Sequence, residues 1–401
     1  MTSPIAADTR IMRGINAAAV LAAVRSSESS SVAAIASETG LSRQAVARAL
    51  GMLAAGHLVE MLAPDPGLTR PGRPAQRVRF RPEAGHVLGV SVSPADVRLS
   101  VADLSGEERG RLALPHRGTD LIGVIRRGTR ELLDSVALDD ASIWSVVAGA
   151  PGIIDPVTGL ITQVPSMVGL EGTVLIDALR EQFACEVVVD NDVKLATEGQ
   201  LWRTPHPVSS LVRIEWGERL GAGIVLNGSL YRGASNDAGD IGFLEPPVIP
   251  ASHSDRGDGP FESWVGSAEL LRLAREGADA AFSERLERLA PPAAVDAVLS
   301  AASDGLPAAR DAVAELCRRL AVGLAAMRAL LDPELIVIGG PMARGGEFVV
   351  KRLTAELSTR ALNQPRLALC SLREDAVVLG AVHRGLELVQ EKRLSASVLR
   401  E

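Results

Sequence analysis

The sequence predicts an α/β protein that opens with a small winged helix-turn-helix, and three observations carry this expectation. Apolar residues recur with a helical period through residue 54, on either side of a Gly-Leu-Ser turn. From His86 the pattern changes to short strands and to β-rich stretches ending in glycine, with helices between them. The charge also reverses: residues 1–82 carry ten Arg and five acidic residues, net +5, whereas the rest carries 32 basic and 44 acidic residues, net −12. At 401 residues, 47% of them hydrophobic, the chain can fill two or three cores.

In the first part, helices are expected over Arg13–Arg25, Val32–Thr39 and Ser42–Ala54. In the third, Val46, Ala49, Leu50 and Leu53 follow i, i+3, i+4, i+7 and share one buried face, with Arg43, Gln44, Ala47 and Arg48 opposite. Ser42 is a suitable N-cap, Gly40 can take the positive φ of a tight turn, and Ala36 permits close helix packing. Such a unit presents the N-terminal half of its second helix to the major groove. Ser42, Arg43, Gln44, Ala47 and Arg48 are therefore candidates for contacts to double-stranded DNA. The stretch Arg70-Pro71-Gly72-Arg73-Pro74-Ala75-Gln76-Arg77-Val78-Arg79-Phe80 fits an extended wing, with Arg70, Arg73 and Arg77 in reach of phosphates or a minor groove. A plain three-helix bundle followed by a solvated linker is the competing reading. Because 39 of the 42 basic residues are Arg, Arg abundance alone does not decide between them.

In the second part, strands are expected over Val87–Val92 and Val97–Asp103, closed by the turn Leu104-Ser105-Gly106. Val146 to Asp155, and Cys185 to Val189 followed by Asp190-Asn191-Asp192, place polar residues beyond the C-terminal ends of buried strands. Open α/β sheets bind ligands there. Asn227-Gly228 reads as a type I′ hairpin turn, and a long helix over Pro307–Leu331 precedes a strand over Leu335–Ile338.

Six stretches in this order resemble the ROK family (repressor, open reading frame, kinase), which joins bacterial sugar kinases to sugar-responsive repressors. They are Ala150-Pro151-Gly152-Ile153-Ile154-Asp155, Val189-Asp190-Asn191-Asp192, Gly221-Ala222-Gly223-Ile224-Val225-Leu226-Asn227-Gly228, Tyr231-Arg232-Gly233-Ala234, Ala238-Gly239-Asp240-Ile241-Gly242 and Leu331-Asp332-Pro333-Glu334-Leu335-Ile336-Val337-Ile338-Gly339-Gly340. The resemblance implies an actin-like (ribonuclease-H-like) two-lobed domain over residues 83–401, behind a winged helix over 1–82. Lobe one would take about 83–200 plus a C-terminal helix at 375–391, and lobe two about 201–374. The resemblance also implies that Asn191 and Asp192 are the sugar-binding pair, Asp192 matching the carboxylate that takes the sugar proton in kinases. Glu262 matches a further sugar contact, and Asp240 replaces a longer glutamate. Each has a plainer reading: Asp190, Asn191 and Asp192 as caps of the helix near Val193, Asp240 and Glu262 as solvated loop acids.

The departures from the family are equally informative. Where its kinases carry a pattern like Asp-x-Gly-Gly-Thr, this chain has Ser91-Val92-Ser93-Pro94-Ala95, without the carboxylate or glycines and with a proline that removes an N–H. The second phosphate loop, usually Gly-Thr-Gly, reads Gly217-Glu218-Arg219, which sets an acidic side chain where phosphate should lie. Gly339-Gly340, at the position of the kinases' adenine site, is then a structural turn. The family's zinc pattern falls on Phe243, His253, Asp255 and Pro260, leaving no tetrahedral set, so no metal and no cofactor are expected. Packing of Phe243, Phe261 and Trp264 would have to hold that region instead. Ser166 and Leu170 stand where Asn and Trp are common near the pocket mouth.

The resulting expectation is a DNA-binding repressor, not an enzyme, whose homodimer reads an operator and responds to a sugar or sugar phosphate. Cys185, Cys317 and Cys370 lie far apart, without metal or disulfide spacing. No run of 18 uncharged apolar residues and no leader pattern is present, so no membrane contact and a cytoplasmic location are expected. A sugar kinase fused to a DNA-binding module, and a regulator that has lost its sugar and answers to a protein partner, are the alternatives.

Overall fold

In the computed structural model, described for residues 4–63, 77–116, 120–164, 167, 169–248, 259–360 and 363–399, the N-terminal helices form as the periodicity requires. They are α1 (Pro4–Arg25), α2 (Val32–Thr39) and α3 (Arg43–Ala55), with the two-residue β1 (Ser30–Ser31) before α2. Gly40 ends α2 at φ +69, and the Ser42 hydroxyl caps α3 by accepting from the Ala45 N–H at 3.2 Å. Val46, Ala49, Leu50 and Leu53 are all buried, as their spacing demands. The first helix begins at Pro4 rather than Arg13, since nothing in its first turns breaks a helix that α3 already holds downstream. β2 (Val59–Leu62) and β3 (Arg77–Phe80) pair antiparallel, Val59 opposite Phe80, and β1 adds to the far side of β3. This is a winged helix.

Two five-stranded sheets follow, built to one plan. β4 (His86–Val92), β5 (Asp96–Asp103) and β6 (Glu108–Pro115) form an antiparallel meander. After α4 (Leu121–Ser135), β7 (Ile143–Ala150) joins β4 in parallel. The small hairpin β8 (Ile153–Ile154) and β9 (Ile161–Gln163), then α5 (Val174–Gln182), lead to β10 (Glu186–Asn191), which is parallel to β7. The order is β10-β7-β4-β5-β6. α6 (Asp192–Arg203) leads to the second sheet, where β11 (Leu211–Trp216), β12 (Leu220–Leu226) and β13 (Ser229–Tyr231) repeat the meander. Asn227 and Gly228 both have positive φ at the β12–β13 turn, as a type I′ turn requires.

α7 (Pro260–Val265), α8 (Ser267–Gly277), α9 (Ala280–Glu287), α10 (Pro291–Ser303) and α11 (Pro307–Leu331) then form the helical layer of the second lobe. β14 (Leu335–Gly339), α12 (Gly346–Ser358) and β15 (Arg366–Leu369) complete the sheet in the order β13-β12-β11-β14-β15, again a meander with two parallel strands added. This duplicated order is the actin-like arrangement.

The last helix, α13 (Ala376–Lys392), returns to the first sheet and packs along α6. The two helices touch backbone to backbone at Gly199 and Gly380, where a Cβ on Gly380 would lie 1.7 Å from the Leu195 carbonyl oxygen. The winged helix shares one core with this region: Leu21, Val24, Leu58 and Phe80 are buried in the same cluster as Val87, Ala102, Leu104, Val382, Val389 and Leu394. Burial of each large side chain contributes about 1.5–3 kcal/mol. Arg25 ties the seam, donating to Gln390 Oε1 at 2.9 Å and the Leu104 carbonyl at 3.2 Å while lying over the Phe80 ring.

Candidate functional site

The solvent face of α3 carries all five residues singled out there: Ser42, Arg43, Gln44, Ala47 and Arg48 are exposed. The helix needs the opposite face for its core, so these positions are free of packing duty. Neither guanidinium of Arg43 or Arg48 has a hydrogen bond or ion pair among the described residues. The arginines at the base of the wing differ. Arg79 pairs with Glu60 at 2.9 Å and Glu83 at 3.1 Å, and Arg81 with Glu83 at 3.2 Å. Arg77, half-buried, opens β3 at the loop end of the hairpin. Arg70 and Arg73 lie outside the described residues.

The second site is a cleft of about 180 Å³ between the lobes. Lobe one supplies Pro151–Ile154 and the start of α6; lobe two supplies Glu215, Arg219–Ala222, Asn236–Asp240, Phe243 and Glu262. The expected ligand residues Asn191, Asp192, Asp240 and Glu262 all line it. Asn191 is also the N-cap of α6: its Oδ1 accepts from the Lys194 N–H at 3.1 Å and its Nδ2 donates to the Gly152 carbonyl at 3.0 Å. Capping and cleft lining are thus both true of this side chain. Asp192 Oδ1 accepts from the Val193 N–H at 2.8 Å. Burial, with the charge of Glu215 adding, pushes its carboxyl up to about 6. Burial also raises the Asp240 carboxyl, against the pull of Arg219.

Glu262 is 5% exposed and already engaged, since Oε2 accepts from the Leu220 N–H at 2.6 Å and Oε1 pairs with Arg219 at 3.1 Å. Asp190 does not face the cleft as a ligand. It is buried and paired with Arg232 at 2.7 Å, and Arg232 also reaches Glu198 at 3.2 Å. Asn236 donates to the Ile154 carbonyl at 2.8 Å and accepts from Arg232, so this cluster pins the 232–240 loop across the lobes.

Three expectations from the sequence change. Glu218 is exposed and does not line the cleft; the side chain that enters is Arg219, so the lost phosphate loop contributes a cation, bound to Glu262. Phe243 does not pack with Phe261 and Trp264. Those two rings are buried with centroids 5.8 Å apart, whereas Phe243 is 56% exposed on the cleft wall. Leu170 is buried in the lobe-one core instead of standing at the mouth. Ser166, His253 and Asp255 lie outside the described residues, and no cluster of His, Cys, Asp and Glu suited to a metal occurs among the described ones.

The turn in place of the first phosphate loop and the Gly339-Gly340 turn at the kinases' adenine position are both closed. Ser93 turns β4 into β5 with its own hydroxyl, which accepts from the N–H groups of Ala95 and Asp96 at 3.2 and 3.0 Å and so occupies donors a phosphate would use. Gly340 lies against the Trp216 backbone, a Cβ there meeting its carbonyl oxygen at 2.6 Å, and Pro341 abuts Gly217. Sequence reasoning missed Arg219, Lys194 and Glu215 as cleft residues. For Lys194 a signal existed: it is one of only three lysines, and it stands in the first turn of a helix, where the dipole disfavours a cation.

Among curated proteins, the chain is 22% identical to the xylose repressor of Caldicellulosiruptor bescii, over 79% of this chain and 82% of that one. It is 27% identical to the glucokinase of Halalkalibacterium halodurans, over 73% and 92%. A solved ROK family transcriptional regulator, a homologue of the Escherichia coli Mlc protein, superposes with a TM-score of 0.75 at 20% identity. That match covers 97% of this chain and 98% of the other, and it shows the shared fold, winged helix included. The ROK family model matches residues 87–384, and the chain belongs to the ROK family.

Proposed function

We propose that this protein is a DNA-binding transcriptional repressor whose non-catalytic ROK lobes sense a sugar or sugar derivative. The observation that carries the reading is the exposed face of α3, with Arg43, Gln44 and Arg48 free of partners among the described residues, on a winged helix that the lobes hold through a shared core. That face offers the donors that read guanine and adenine edges and neutralise phosphates. Relatives named as repressors support the same reading. The units are 1–82 for DNA binding and 83–401 for sensing, with lobe one at 83–200 plus 375–391 and lobe two at 201–374. The protein acts in the cytoplasm as a homodimer that sets two α3 helices about 34 Å apart on a palindromic operator. No described helix is long and apolar enough to cross a membrane.

Ligand sensing is assigned to Asn191, Asp192, Asp240 and Glu262. Signal transfer runs from these residues along α6, across the Gly199–Gly380 contact to α13, and through Val382 and Val389 into the winged-helix core. Mobility-shift titration of DNA from the gene's own upstream region tests the reading. Sequence-specific binding that a sugar alters is expected; indifference to every fragment overturns it. The glucokinase relative and Asp192 favour a second reading, a sugar kinase with a DNA-binding module. Closed Ser93 and Gly340 turns speak against it, and ADP release over a sugar panel decides.

A further inference from the structure

Among the described residues, the cleft contains a largely buried lysine that no protein group pairs with. Lys194 is 7% exposed and lines the cavity, yet its ammonium has no hydrogen bond or ion pair among the described residues. Asp190, Asp237 and Asp192 act on its charge without pairing with it, and Arg232 acts against it. Asp190 is already committed to Arg232, and the other cleft cation, Arg219, to Glu262. An ammonium has three donors and a strong hydration shell, so holding a lysine side chain this deeply with no protein partner, its ammonium facing only the cleft, costs stability, and burial accordingly lowers its pKa. The helix opposes the charge as well, because Lys194 stands in the first turn of α6, at the positive end of its dipole. In a chain that uses Arg for 39 of its 42 basic residues, the compact point charge of a lysine stands here. Lys351 and Lys392 are both exposed.

We propose that the cleft binds a sugar-sized polyol carrying an anionic group, a carboxylate or a phosphate, and that Lys194 holds that group. This rests on the reading of the cleft as the effector site. A neutral hydroxyl offers Lys194 a hydrogen bond without charge compensation, whereas an anion supplies both. The remaining lining suits the rest of such a molecule: Asn191, Asp192 and Asp240 for hydroxyls, and the exposed Phe243 ring as an apolar wall for a pyranose face.

Calorimetric titration of the full chain with matched triplets tests this. Each triplet is a neutral sugar, its uronic acid and its phosphate ester, taken through glucose, galactose, mannose and N-acetylglucosamine. In at least one triplet an anionic member should bind about ten- to a hundred-fold tighter than the neutral one, as a hydrogen bond to a charged group implies. The acid and the ester separate the two sources of the anion. Lys194→Met should erase the advantage, weakening the anionic member about ten- to a hundred-fold more than the neutral one, and Lys194→Arg should restore much of it; Lys194→Gln replaces Met if that variant does not fold. Equal binding within every triplet, or an advantage that survives Lys194→Met, overturns the inference and leaves sugar sensing standing. Absence of binding by all members overturns both.

Discussion

Replacing Asp192 with Asn should make the protein more stable near neutral pH while removing its response to ligand. The Asp192 carboxyl sits in the cleft wall, and burial with the nearby charge of Glu215 moves its pKa from 3.8 to about 6. Between those two values the folded chain holds a proton that the unfolded chain has released, so stability falls as pH rises through this window. The advantage of the protonated form is fully present below pH 3.8 and lost above about 6, where the ionised carboxylate is a net cost. A displacement of this size corresponds to roughly 3 kcal/mol. Asp192 is half-buried on the wall of the cleft, and screening there reduces the expected gain to about 1–2 kcal/mol. Asn keeps the shape and an oxygen for the Val193 N–H. Denaturant unfolding of Asp192→Asn and wild type at pH 4 and pH 7.5 measures the effect. The variant should gain stability at pH 7.5 and little at pH 4. A variant that is less stable at pH 7.5, or a difference that does not depend on pH, refutes the reasoning.

Further outcomes follow from the same geometry. Arg43→Ala and Arg48→Ala should each weaken DNA binding, by about 1–3 kcal/mol for a base contact, or lower the slope of log affinity against log salt by about 0.9 for a phosphate contact; fluorescence anisotropy at several salt concentrations distinguishes the two. Leu394→Ala, in the core shared by the winged helix and α13, should cost about 2–5 kcal/mol in denaturant unfolding. In a folded preparation it should retain both ligand and DNA binding but lose the effect of one on the other. A coupled ADP-release assay over neutral sugars should show no turnover above background, and detectable turnover would return the kinase reading.

The winged helix was readable because its information is local: the Val46, Ala49, Leu50, Leu53 stripe, the Ser42 cap and the Gly40 turn lie within fifteen residues. The two lobes were readable through strands that end in glycine, although the duplicated sheet order rests on pairings such as β11 with β14, more than a hundred residues apart. The same distance hides the shared core, in which Leu21 and Val24 meet Val382 and Val389. At the cleft, the family resemblance pointed to Asn191, Asp192, Asp240 and Glu262, all of which line it, but the turn after β11 was misassigned. Which of Glu218 and Arg219 enters the cleft depends on a backbone turn closed by the Gly217 N–H on the Arg219 carbonyl, at 3.1 Å, and no periodicity reports that. Phe243 was misread for a related reason, because an apolar residue in a loop can serve a core or a ligand, and only burial tells which.

The proposed role is tested most directly by selection of bound sequences from a random double-stranded DNA library with the full-length protein, repeated with the doubly substituted Arg43→Ala, Arg48→Ala variant. Wild type should enrich one sequence with twofold symmetry and half-sites about one helical turn apart, and the variant should lose that enrichment while keeping its melting temperature. A wild-type protein that enriches no sequence, or a variant that enriches the same one as strongly, contradicts the assignment of α3 as the element that reads DNA.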